Sequence, residues 1–141
     1  GNRSRGFGKG TPVFEPFVTF GQILPSESFV QFHGGFEFPV DTELAGRAAF
    51  WRTTVGKTFY QGRWGRSWSP MVEVLAEREL VSGEPVIWDI LPEVQVTLSR
   101  RQHIRANFGV RIPVNHREGR STELLFYLLW DSYDGGLTEG W

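Results

Sequence analysis

Cysteine is absent from this 141-residue chain. That excludes a disulfide framework, thiolate zinc sites, a cysteine nucleophile and haem attachment through C-x-x-C-H. Long apolar runs are also lacking, and none approaches the roughly 18 residues of a membrane helix. Membrane strands stay open, since a barrel precursor carrying such a run would stall in the inner membrane. Charge of one sign is missing too: 15 Lys and Arg stand against 16 Asp and Glu, interspersed, for a net charge of −1. A nucleic-acid partner is therefore not expected, because phosphate affinity comes from clustered Lys and Arg. With no initiator Met and no signal-peptide h-region, the sequence reads as a mature, processed or partial chain.

Aromatic residues and glycine fill the space. The chain carries 12 Phe, 6 Trp and 3 Tyr beside 17 Gly, a composition suited to strands rather than helices. Residues 1–10 are basic, Gly-rich and pattern-free and read as a flexible lead-in. Residues 11–141 read as a single all-β domain. Period-two segments predict about seven strands near 12–24, 28–40, 46–60, 67–80, 86–99, 102–114 and 122–132. Turn residues separate them, including Pro25-Ser26-Glu27, Asp41-Thr42-Glu43, Ser82-Gly83-Glu84-Pro85 and the stretch around Gly119. Only Leu75 to Leu80 offers a competing helix. The expected topology is an antiparallel up-and-down meander. Pro16 and Pro92 fall inside strands and are expected at bulges, whereas Pro39, Pro70 and Pro113 fall near strand ends.

Each strand has two unlike faces. Ile104, Ala106, Phe108, Val110 and Ile112 alternate with His103, Arg105, Asn107, Gly109 and Arg111. Val94 and Val96 alternate with Glu93 and Gln95, beside Asp89; Glu73 and Glu77 oppose Val72 and Val74. The last strand gathers Leu124, Phe126, Leu128 and Trp130. Alternation means one dry face and one wet face, without saying which is convex. A soluble sandwich or barrel puts the apolar face inside; a membrane barrel puts it outside, around a polar lumen. Three features favour the membrane barrel, one being that short connections join each strand to the next without the long crossovers of a Greek key. The strands run to about a dozen residues, against about 5 or 6 in soluble proteins. Aromatics also gather at strand ends as interfacial girdles do: Tyr60, Trp64 and Trp68 at one turn, Trp130 and Tyr133 after the last strand, Trp88 at the opposite end.

On this reading Val94, Val96, Ile104, Phe108, Val110, Ile112, Leu124, Phe126 and Leu128 face lipid. The lumen takes Glu73, Glu77, Asp89, Glu93, Gln95, His103, Arg105 and Arg111, with Glu15, Gln31, His33, Glu37 and Arg52 on the same wet face. Arg105 and Arg111 are expected to pair with carboxylates from Glu73, Glu77, Asp89 and Glu93, since unpaired charge in a confined lumen is costly. Catalysis, a cofactor and a metal site are not expected. His33 and Glu37 are roughly 13 Å apart along a strand, too far to share an ion. Gly6, Gly8 and Gly10 are no phosphate loop, with no strand before them and no helix after.

The last strands carry a resemblance. Phe108-Gly109-Val110-Arg111-Ile112-Pro113-Val114, followed by Leu128-Leu129-Trp130-Asp131-Ser132-Tyr133-Asp134-Gly135-Gly136-Leu137, resembles the C-terminal part of bacterial outer-membrane barrels of the meta-pathway phenol-degradation transporter type. Val13-Phe14-Glu15-Pro16-Phe17 with Phe20-Gly21-Gln22 looks like an earlier strand of that group. The resemblance implies a porin-like protein of the bacterial outer membrane, passing small and in some cases aromatic solutes, with no catalytic residues. Members are longer, and seven strands is odd where bacterial barrels are even. Missing N-terminal strands or another copy of the chain are thus expected to complete the sheet. Two rivals remain: a soluble β-barrel or sandwich binding an apolar ligand, and an envelope scaffold or sheath for a partner subunit.

Overall fold

The computed structural model describes residues 8–61, 66–99 and 103–131, and they form one antiparallel sheet. Its strands are β1 (Val13–Phe14), β2 (Phe17–Leu24), β3 (Ser28–Pro39), β4 (Ala48–Lys57), β5 (Phe59–Gln61), β6 (Arg66–Glu79), β7 (Ile87–Thr97), β8 (Ile104–Pro113) and β9 (Glu123–Trp130). Nine strands make only seven rows. β1 and β2 meet β3 in one continuous register, from Val13 opposite Pro39 to Leu24 opposite Ser28. β4 and β5 likewise share a single register along β6, with Ala48 opposite Glu79 and Phe59 opposite Trp68. The seven rows follow the meander that the alternation predicts.

Proline explains the interruptions, and it corrects an expectation. A bulge would offset the register by one residue; none of these breaks does. At Pro16 the row pauses between β1 and β2 while its carbonyl still accepts from the Phe36 N–H at 3.1 Å. The β7–β8 ladder lapses at Leu91 and Pro92, then resumes with Glu93 opposite Gly109 in the register that set Ile90 opposite Ile112. Pro70 lies inside β6 rather than near its end, and the pause at Thr58 falls where that missing donor would face Lys57. Each proline therefore costs one ladder bond and leaves the strand straight in sequence. Leu75 to Glu79 is strand, not helix. Alternation over a 14-residue strand outweighs a short stretch of helix propensity.

Among the described residues no second layer packs on the sheet, and the buried hydrophobic side chains are Ala48, Ala76, Leu91 and Ile104. The sheet curls instead. Gln31 on β3 and Tyr127 on β9 line one cavity of about 430 Å³, although five strand spacings separate them, roughly 24 Å if flat. Glycine permits the curl on that inner face. A Cβ on Gly56 would lie 2.5 Å from the Phe29 ring and 2.7 Å from Met71 Cβ; on Gly109 it would meet Leu91 at 2.9 Å and Glu93 at 3.0 Å. Among the described residues closure is not reached: β2 and β9 are the two edges and do not pair with each other.

The two ends of the sheet are unequal. At one end the rows join through residues 25–27, 62–65 and 98–103; at the other through 40–47, 80–86 and 114–122. The first is called the short-turn end below and the second the long-loop end.

Candidate functional site

The inner face carries a run of cavities with shared walls. Near the short-turn end one of about 380 Å³ is lined by Gln31, Tyr60, Ser67, Ser69, Gln95 and Arg105, among others. Gln31 and Gln95 also line the middle cavity of about 430 Å³, with Arg52, Glu73, Glu93 and Tyr127. Arg52, Leu75 and Arg111 pass on into a space of about 100 Å³ beside Glu77 and Asp89. Together these line one groove, an open passage along the strands, walled largely by alternate residues of β3 to β9.

Its chemistry changes along the way. At the short-turn end hydroxyls and amides dominate, with Glu27 and Arg105 as its charged residues: Ser67 Oγ and Thr97 Oγ1 bond at 2.9 Å, and Thr58 Oγ1 and Ser69 Oγ at 3.0 Å. These hydroxyls satisfy each other within the wall. In the middle Glu73 stands opposite Leu91, and Glu93 opposite Met71. That places the two carboxylates diagonally across neighbouring strands, with Cβ atoms about 7–8 Å apart. Asn107 lines the same cavity as Glu93, and its Nδ2 donates to Tyr127 Oη at 3.0 Å. Arg52 and His33 act electrostatically on Glu73. The His33 ring lies 5.0 Å from Phe17 and 5.4 Å from Phe50, and its Nε2 is buried with no hydrogen-bond partner among the described residues.

At the long-loop end a charge cluster is centred on Asp89, which is 2% exposed. Arg111 donates to Asp89 Oδ2 through Nε at 2.8 Å and Nη2 at 2.6 Å, and Arg120 Nη2 donates to Asp89 Oδ1. Glu123 approaches Arg111 at 3.9 Å. Arg120 Nη1 also donates to the Asn115 carbonyl at 3.1 Å within the same loop, and its bond to Asp89 ties the loop 114–122 to the passage wall. Asn115 takes the Trp88 N–H on its Oδ1 and donates Nδ2 to the Val86 carbonyl, both at 2.8 Å.

The sequence candidates divide between the faces. Glu73, Glu77, Asp89, Glu93, Gln95, Arg105 and Arg111 all line these cavities, and His103 lies just before β8. Arg111 has the carboxylate partner expected of it, and Arg105 stands opposite Thr97. Phe108, Leu124, Phe126 and Leu128 are exposed on the other face, Phe126 to 71%, while Val94, Val96, Val110 and Ile112 are half-buried there. Ile104 departs from that pattern: it is buried at 5%, opposite Trp130. Trp68 stacks on Phe59 at 4.8 Å near the short-turn end, and Trp88 meets Trp51 edge-on at 5.5 Å toward the long-loop end. Tyr60 corrects its assignment to the outer girdle. It is one residue out of phase with Phe59 and Trp68, so it lines the passage. Trp64 and Tyr133 lie outside the described residues.

Sequence reasoning missed Arg120, Glu123 and Tyr127. The two β9 residues had a signal, the parity opposite to Leu124 and Phe126, but Leu125 and Leu129 on the same parity hide it. Arg120 had none, because a loop carries no period. Comparison with protein-family models, with curated proteins and with solved structures finds no match to the chain.

Proposed function

We propose that this chain forms much of the wall of a bacterial outer-membrane β-barrel, of porin or transporter type, through which small solutes pass passively. One observation carries the reading: the sheet is inside-out for a protein in water. Val18, Phe20, Phe32, Phe36, Val55, Val72, Val74, Ile90, Phe108, Leu124, Phe126, Leu128 and Trp130 are all exposed on the convex face, which runs across all seven rows. The largest apolar patch of a soluble monomer covers about 300–600 Å². At about 100 Å² for each half-exposed aromatic, three to six such side chains already fill it. In a bilayer the same face meets acyl chains, and the polar groups turn inward. A soluble binding module would carry the reverse arrangement.

The long-loop end then faces outward from the cell and the short-turn end faces the periplasm, the usual asymmetry of such barrels. The resemblance of the last two strands to phenol-degradation transporters fits a passage that takes small aromatic solutes. The passage wall offers Leu75, Leu91 and Leu125 beside its charges, a mixture suited to amphiphilic compounds. The deciding experiment is detergent-dependent solubility combined with gel mobility before and after heating. The proposal expects a compact, faster band that is lost on boiling, and insolubility without detergent. A monodisperse protein in plain buffer would overturn it.

A further inference from the structure

The two edges of the sheet say what can close it. All six pairings between neighbouring rows are antiparallel. The rows therefore alternate in direction, and the first and last, β2 and β9, run the same way, from the long-loop end to the short-turn end. Joining β2 directly to β9 would make a parallel seam. A second copy inserted in the same orientation would also place a β9 beside a β2, giving a parallel seam at each junction. Only a segment whose outermost strands run from the short-turn end to the long-loop end is antiparallel to both edges, and such a segment has an odd number of strands. Seven plus an odd number is even, as single-chain bacterial barrels are.

The inner side chains of the edges add a second constraint. Across the middle rows the inner face is mostly polar, but on β2 it presents Phe17 and Ile23, and on β9 Leu125 and Leu129, all exposed. A water-filled seam would leave these four unpaired with anything apolar.

We infer that the sheet is completed by an odd-numbered set of membrane strands, distinct from a second copy of this chain, with apolar residues on its inner as well as its outer face along both seams. The inference rests on the barrel reading above and concerns only how the barrel closes. In a bilayer the edges cannot stay bare, because each unmet backbone group costs free energy that no water offsets.

The test uses the chain in its native envelope. It has no native cysteine, so paired cysteines report cleanly. With Phe20→Cys on β2 and Phe126→Cys on β9, and neighbouring outward positions in turn, oxidation should give no β2–β9 disulfide, within a chain or between chains. Photo-crosslinking side chains at the same sites should capture one common set of strands. Moving the probe from Phe20 toward Leu24, or from Phe126 toward Trp130, should shift the captured position toward the N-terminus of the strand captured. A β2–β9 disulfide of either kind, a shift in the opposite sense, or bare edges that capture nothing would overturn the inference. Detergent phase separation keeps the two readings apart. A chain found in the aqueous phase defeats the barrel, whereas a disulfide in a chain that stays with the membrane defeats only this closure.

Discussion

Phe108 sits midway along β8, opposite Val94 and Phe126 on the convex face, and is 49% exposed. In a bilayer that position is near the midplane. Replacing it with arginine puts a guanidinium there at a cost of about 2–4 kcal/mol. It also removes the lipid contact of half a phenyl ring, about 1 kcal/mol. The sum is about 3–5 kcal/mol, a large fraction of the total stability of a domain. If the same face met water, only the packed half of the ring would be lost, about 1 kcal/mol, and solubility would rise. Gln95 supplies the control. It follows Val94 in β7, at the same depth, but lines the passage, so Gln95→Arg should change stability by no more than about 1 kcal/mol. Urea titration of the protein folded in phosphocholine vesicles, followed by tryptophan fluorescence, measures both. Equal destabilisation by the two substitutions would refute the assignment of faces. So would a Phe108→Arg protein with an unchanged midpoint that no longer needs detergent.

The remaining expectations concern charge and fit. Asp89→Ala leaves Arg111 and Arg120 facing each other without their shared carboxylate. Breaking a fully buried pair costs about 3–5 kcal/mol, and here about 2 kcal/mol is expected because the arginines keep 36% and 22% of their side-chain exposure; an unchanged unfolding midpoint would refute the cluster. Arg120→Ala should loosen the loop around Arg117, while Asn115 keeps its start anchored, read as faster trypsin cleavage at Arg117, and equal cleavage rates would show that the loop is not held by Asp89. Glu73→Gln with Glu93→Gln removes the diagonal carboxylate pair, and cation preference in planar bilayers should fall; an unmoved reversal potential would place the conducting path elsewhere. Gly56→Ala drives a methyl into the Phe29 ring and Met71 Cβ and should cost about 1–3 kcal/mol, measured by the same urea titration, with a neutral result contradicting the tight curl there.

Strand positions were legible because a period of two survives across nearly every row. The alternation of Ile104, Phe108 and Ile112 with Arg105 and Arg111 needs no tertiary knowledge. Splitting the rows into nine strands was not legible as such, because it depends on which neighbour each proline's missing donor faces. Pro70 breaks a ladder in another strand, at Thr58, and no local window contains both. The site was legible one face at a time. Alternation assigned Asp89 and Arg111 to one face, and the meander made them neighbours. It could not supply Arg120, which reaches Asp89 from a loop across 31 residues.

Which face is convex looked beyond the reach of alternation, since a dry face and a wet face exchange places between a sandwich and a barrel. The strand glycines nevertheless carry that information. Gly21, Gly35, Gly56 and Gly109 share the parity of Gln31, Thr54, Glu73 and Glu93, the passage-facing side, while Gly34 alone lies on the other. Bending a sheet crowds the side chains on its inner face and spreads those on its outer face. Missing side chains are therefore tolerated, and required, on the side toward which it bends, as the contacts at Gly56 and Gly109 illustrate. Large rings such as Phe32, Phe36 and Phe108 occupy the spread side. The polar face is thus the one relieved of bulk, and a sheet relieved of bulk on its polar face curls its apolar face outward. In water such a curl would expose the very surface that folding should hide, and in a lipid bilayer it would place that surface against acyl chains.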